Sequence, residues 1–170
     1  ELVQKYKSNI LACTRQFAYS TQNHNTIDIV LSLNGIPVVA LELKNQLTGQ
    51  SVDNAKRQYM YDRDEKEFCF RFNNRFLVYF CVDLYEVAMA THLQGVGTYF
   101  LPFNQGSNGA GNVGDGGNPK CDDGYATSYL WERVLSPEML LSIFQRYISK
   151  QTSESISLVN GRKKTNKKTV

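Results

Sequence analysis

The chain of 170 residues is 42% hydrophobic and 21% charged, with ten Tyr and nine Phe, which is enough apolar side chain for one buried core and excludes a low-complexity or unfolded polymer. The formal charge of +3 invites a polyanion partner, but five of the 19 basic residues fall between Arg162 and Lys168; the rest has 14 basic against 16 acidic residues, a net −2. With no apolar run of about 18 residues and no signal-peptide layout, the sequence argues against a membrane span or a secreted precursor, and a cytoplasmic setting is expected.

In chain order, Glu1 to Leu11 spaces Leu2, Tyr6 and Ile10 for a helix, and residues 13 to 20 follow with an extended pattern. Two strands, Ile27 to Leu33 and Ile36 to Lys44, flank Asn34-Gly35, the strongest short hairpin signal in the chain. Ser51 can cap a helix from about Val52 to Arg63 that sets Val52, Ala55 and Tyr59 on one side. Phe76 to Val82 and Glu86 to Leu93 read as two further strands. Seven of the twelve glycines lie between Gly106 and Gly124, which reads as a long mobile loop. Thr127 or Ser128 opens a short helix through Leu135, Ser136-Pro137 starts another to about Ser149, and Ile156 to Val159 can form one short strand. The basic end shows no hydrophobic period and reads as a solvated tail or linker rather than a nucleic-acid grip. The expected architecture is mixed α/β: a central sheet rich in hairpins, flanked by helices, over residues 1–150, with a linker over 151–170.

Several local patterns are discounted. Cys13, Cys69, Cys81 and Cys121 form no CxxC pair and have only His24 and His92 for company, so a zinc site is poorly supported; Cys69 and Cys81 sit in apolar runs and read as core thiols. Gly109 to Gly114 satisfies GxGxxG, but Asp115 to Pro119 follows where a phosphate-binding helix would have to begin. Asp115, Asn118, Asp122 and Asp123 lack the spacing and closing Glu of a calcium loop.

The pattern with chemical content is Asp28 followed fourteen residues later by Glu42-Leu43-Lys44. On a strand Glu42 and Lys44 share one face, so a carboxylate and an ammonium stand side by side. Two carboxylates can hold a hard divalent cation, and a lysine can orient or deprotonate a water attacking a phosphodiester. The bland alternative is an exposed ion pair on a sheet edge. Register distinguishes them. A plain two-residue turn at Asn34-Gly35 would set Asp28 across from Leu41, on the opposite face from Glu42, and would sink the metal-site assignment. A three-residue loop with Gly35 as a left-handed bulge would pair Ser32 with Ile36 and Asp28 with Ala40, make Asp28 and Glu42 diagonal neighbours, and gather Ile27, Ile29, Leu31, Leu33, Pro37, Val39, Leu41 and Leu43 on a wholly apolar face. The second register is expected. On the following helix, Gln58 can reach the attacking water or a phosphate oxygen, and Lys56 and Arg57 can neutralise backbone phosphates or simply face solvent.

These stretches resemble the N-terminal nuclease region of the R (HsdR) subunits of type I restriction enzymes, a branch of the PD-(D/E)xK nucleases. The resemblance is carried by IDIVLSLNGIPVVALELKN (27 to 45), NAKRQYMYDRD (54 to 64), NNRFLVYFCVDLYEVAMATHL (73 to 93), TYFLPFNQG (98 to 106) and YATSYLWERVL (125 to 135). It implies a restriction-endonuclease-like core with the site on a β-hairpin, Asp28 and Glu42 as magnesium ligands, a carbonyl ligand at Leu43, Lys44 as the catalytic lysine and Gln58 as the helix glutamine. Position 62, where the superfamily often has a tyrosine, is Asp, with Tyr59 and Tyr61 nearby. It also implies double-stranded DNA as substrate, modification (M) and specificity (S) subunits as partners, and ATP used only by motor domains. No phosphate loop follows here, so the sequence reads as a fragment of such a subunit. The competing readings are a stand-alone PD-(D/E)xK repair or resolvase nuclease and a non-catalytic DNA-binding or docking module.

Overall fold

The structure, a computed structural model, describes residues 2–148, 152–159 and 162–169. It divides into two compact units, Glu1–Tyr129 and Leu130–Val170.

In the first unit, helix α1 (Leu2–Lys7) leads into β1 (Leu11–Ala18), β2 (Thr26–Leu33) and β3 (Ile36–Leu43); helix α2 (Val52–Tyr61) then crosses to β4 (Val78–Val82), followed by β5 (Val87–Ala90) and the two-residue β6 (Leu101–Pro102). The six strands lie side by side in chain order, and every pair is antiparallel except β3 and β4. A parallel pair needs a crossover, and α2 supplies it. This is a mixed-sheet α/β fold; β6 is an addition to the expected elements, and the fourth and fifth strands are shorter than their sequence patterns.

At the start of α2 the Asn54 side chain accepts the Ser51 N–H at 2.9 Å, closing the cap. Val52, Ala55 and Tyr59 are buried in one cluster with Val30, Ala40, Cys69, Phe70, Tyr79 and Cys81. Aromatic rings knit this layer: Tyr59 meets Tyr79 edge-on at 5.5 Å, and Phe70 stacks on Phe76 at 6.0 Å. The fully apolar hairpin face expected from sequence is not the face that α2 covers. The helix packs on the Val30 and Ala40 side, where alternation also places Glu42, while Leu43 on the other side is exposed. Five consecutive residues, Val38 to Glu42, are buried because β3 lies inside the sheet and is covered on both faces, so counting apolar residues per face could not identify the helix side.

The hairpin turn also departs from expectation. Leu33 pairs with Ile36, so Asn34 and Gly35 form a two-residue turn, both with positive φ (52° and 82°). That turn alone would put Asp28 and Glu42 on opposite faces. The strand then bulges: Ser32 pairs with Pro37, but Leu31 pairs with Val39, leaving Val38 as the extra residue. From there Val30 meets Ala40 and Ile29 meets Leu41, and the next step of this register sets Asp28 across from Glu42 on one face. The bulge exists, but at Val38 and not at Gly35. Pro37 is its local cause, since a residue without an N–H is accommodated in an interior strand only beside such an irregularity. Asn34 further ties the turn to the start of β1, accepting the Ile10 N–H on Oδ1 and donating its own N–H to the Ile10 carbonyl, both at 2.8 Å.

Asp83, just after β4, joins several segments. Its carboxylate accepts the N–H groups of Val52, Tyr85 and Glu86 and the Gln46 side chain at 2.8 to 2.9 Å. Thr127, expected at the mouth of a helix, is buried instead and donates its hydroxyl to the Asp83 carbonyl at 2.9 Å. The glycine-rich stretch has no regular element but is cross-braced: Gly106 N–H meets the Gly117 carbonyl at 2.7 Å, and Asn118 receives Gln105 N–H and donates to the Tyr85 carbonyl, both at 2.8 Å.

The second unit holds a five-residue π-type turn, Leu130–Val134, in place of the expected helix to Leu135, then α3 (Pro137–Arg146) with Pro137 at its first position. Strands β7 (Thr152–Val159) and β8 (Arg162–Thr169) pair antiparallel along their whole length, where only Ile156 to Val159 was expected to be extended and the basic end was read as a linker. The missed signal is Asn160-Gly161 in the sequence, the same dipeptide that marks the first hairpin.

Candidate active site

The open end of the β2–β3 hairpin gathers the residues singled out from sequence. β2–β3 backbone pairing stops at Ile29 and Leu41, and Asp28 replaces the next rung with its side chain: Oδ2 accepts the Leu43 N–H at 2.8 Å. Its other oxygen, Oδ1, accepts Gln16 Nε2 at 3.2 Å, and Gln16 is in turn held through Oε1 by the Thr26 hydroxyl at 2.7 Å. Gln16 has φ of 50°, a left-handed conformation inside a strand, which turns it out of the β1–β2 ladder. A residue's N–H and C=O leave a strand on the same side, so the Leu43 carbonyl is directed toward the Asp28 edge.

Glu42 is fully buried. Arg63 binds it through Nη2 (2.7 Å) and Nε (3.1 Å), and both bonds end on Oε1. Oε2 is buried with no hydrogen-bond partner. Burial pushes the Glu42 carboxyl up to about 7, with the Asp28 charge adding to the rise, against the downward pull of Arg63 and Lys44. Lys44 Nζ donates to Gln58 Oε1 at 2.5 Å, joining the end of β3 to the middle of α2. Asp28, Glu42, Lys44 and Gln58 therefore converge as the sequence suggested.

An open cleft of about 560 Å³ lies over this end, walled by Asp28, Gln58, Asp62 and Arg63 and by the His24 to Thr26 segment. Asp62, one helical turn beyond Gln58, lines the cleft where a tyrosine was sought. Of the two nearby tyrosines, Tyr61 is exposed, while Tyr59 is fully buried with an unpartnered hydroxyl. Burial, then the neighbouring Glu42 charge, push the Tyr59 phenol upward. Lys56 and Arg57 do not line the cleft: Lys56 pairs with Asp53 on its own helix at 2.8 Å and Arg57 is exposed. The cation that does reach the site, Arg63, and the amide that steadies Asp28, Gln16, were not found from sequence; they act 21 and 12 residues from their partners and carry no local pattern.

Among the described residues no three His, Cys, Asp or Glu side chains cluster as a metal cage. The donors at hand are instead an unpartnered Glu42 oxygen, the Asp28 carboxylate and a main-chain carbonyl. That sparse all-oxygen set fits a hard, largely hydrated divalent ion such as magnesium.

The family model described as "Type I restriction enzyme R protein N terminus" matches residues 3–107, which include every residue of this site. The chain belongs to that family. No match was found among curated proteins or among solved structures. The R protein N-terminal match ends ahead of most of the glycine-rich stretch and of the second unit. Among the described residues no helix is long and apolar enough to cross a membrane.

Proposed function

We propose that this R protein N-terminal region is a magnesium-dependent endonuclease domain with a PD-(D/E)xK core that hydrolyses phosphodiester bonds of double-stranded DNA. The observation that carries the reading is the convergence of Asp28, Glu42, Lys44 and Gln58 at one end of the hairpin, with a buried Glu42 oxygen left unpartnered. Asp28 and Glu42, with the Leu43 carbonyl, would hold the cation, which when bound supplies charge stabilisation to the phosphate. Lys44 presents an ammonium beside the two carboxylates, suited to orient the attacking water and to balance the charge of the scissile phosphate. Gln58 fixes Lys44 through its side-chain oxygen, leaving its amide nitrogen for water or phosphate. The slightly acidic body fits this assignment, since DNA contact would rest on a bound cation and local donors such as the Gln58 amide rather than on bulk charge.

Within an R subunit, this activity would be coupled to ATP-driven motor domains, with M and S subunits supplying sequence recognition. The test is plasmid cleavage by the assembled complex carrying Asp28→Ala or Lys44→Ala in the complete subunit. Loss of cleavage with ATPase retained is expected from both. Full cleavage by both variants would end the assignment.

A further inference from the structure

Resting on the metal-site reading above, we propose that Arg63 is a positioning residue: it grips Glu42 by Oε1 alone and so reserves Oε2 as the one oxygen that Glu42 gives to a divalent cation. An arginine paired with a carboxylate frequently lays two N–H groups against two oxygens. Here Nε and Nη2 converge on the same oxygen, at 3.1 and 2.7 Å, and the second oxygen is left buried and bare. A bare carboxylate oxygen is costly in a protein interior and marks a place for a ligand.

Arg63 is itself fixed and is not a loose plug. Nη2 also donates to the Thr26 carbonyl at 2.8 Å, the guanidinium lies 5.3 Å from the centre of the Tyr19 ring, and the residue is only 5% exposed. A cation that had to displace Arg63 would break all of these contacts, whereas one arriving at Oε2 breaks none. The other nearby cation cannot substitute, because Lys44 is turned to Gln58. Arg63 lies just past the end of α2, so the crossover helix delivers both the arginine that sets Glu42 and the glutamine that sets Lys44.

The experiment measures Mn²⁺ affinity of the whole chain without DNA, by electron paramagnetic resonance, for wild type, Arg63→Lys, Arg63→Met and Asp28→Asn. Loss of a residue that orients a metal ligand lowers affinity by about 10–100-fold, which is expected for Arg63→Met. Arg63→Lys keeps the charge but offers a single point of attachment, and should fall between Arg63→Met and wild type; it decides the matter if circular dichroism shows Arg63→Met unfolded. Should Arg63→Lys bind Mn²⁺ as tightly as wild type, or Arg63→Met bind it more tightly, as removal of a mere repulsive charge requires, the assignment is overturned. If Asp28→Asn loses Mn²⁺ while both Arg63 variants keep it, only the Arg63 role falls. If wild type binds none, or Asp28→Asn binds like wild type, the metal-site reading falls and the Arg63 role with it.

Discussion

Replacing Asp83 with Ala removes four acceptor contacts at a residue only 4% exposed, and the cost can be worked from their surroundings. The Tyr85 and Glu86 amides belong to an exposed turn, where water can replace the lost carboxylate. The Val52 amide is the costly one: it opens α2 at a buried residue, and its bond to Asp83 is the tie between the helix and the end of β4. An orphaned buried donor costs about 1–3 kcal/mol and a lost helix-cap acceptor about 1 kcal/mol, so Asp83→Ala should lose about 3 kcal/mol, a large part of a typical total of about 5–15 kcal/mol. Urea denaturation followed by circular dichroism reads this loss. Burial raises the Asp83 carboxyl's pKa, but the N–H donors of Tyr85, Gln46, Glu86 and Val52 outweigh it and hold the group below its ordinary value. Its contribution is therefore present above the unfolded carboxyl value of about 3.9 and disappears as pH falls through the lower folded value. The difference between wild type and Asp83→Ala should be full at neutral pH and shrink in acid below that range. A loss under about 1 kcal/mol at neutral pH, or a difference that does not change in acid, would refute this reasoning.

Two smaller perturbations probe the hairpin and the core beneath the site. Gly35→Ala meets no atom within 4 Å, so only its φ of +82° is penalised; a loss of about 1 kcal/mol in thermal or urea unfolding is expected, and a neutral result would contradict the left-handed turn. Tyr59→Phe deletes a buried hydroxyl that has no partner, so stability should stay within about 0.5 kcal/mol of wild type or rise; a loss above about 1.5 kcal/mol would reveal a partner bound there.

The grouping of the candidate residues was more legible in the sequence than the frame that carries it. Asp28, Glu42 and Lys44 are found by strand alternation, and Gln58 by helical placement on the next element, because both are short-range periodicities. The hairpin's existence was equally plain from Asn34-Gly35. Its register was not: relative to the expected loop, the tight turn shifts the pairing by one residue and the bulge at Val38 by one more in the same direction, so the faces come back into step while Asp28 moves from opposite Ala40 to opposite Glu42, and only Pro37 hinted at where. Arg63 and Gln16 escaped because nothing near them in sequence marks a contact made by folding, and a basic pair on a helix such as Lys56 and Arg57 looks alike in sequence whether it faces a cleft or solvent. The pairing of β8 with β7 was missed for a related reason, since an Arg- and Lys-rich strand with no apolar alternation has no period to detect.

The central claim is that Asp28 and Glu42 share one divalent cation. Anomalous diffraction from crystals of the protein soaked in Mn²⁺ tests it most directly. One peak is expected between the Asp28 carboxylate and Glu42 Oε2, with Arg63 still on Oε1. Saturating Mn²⁺ with no peak there, or with Arg63 swung away and both Glu42 oxygens on the metal, would contradict it.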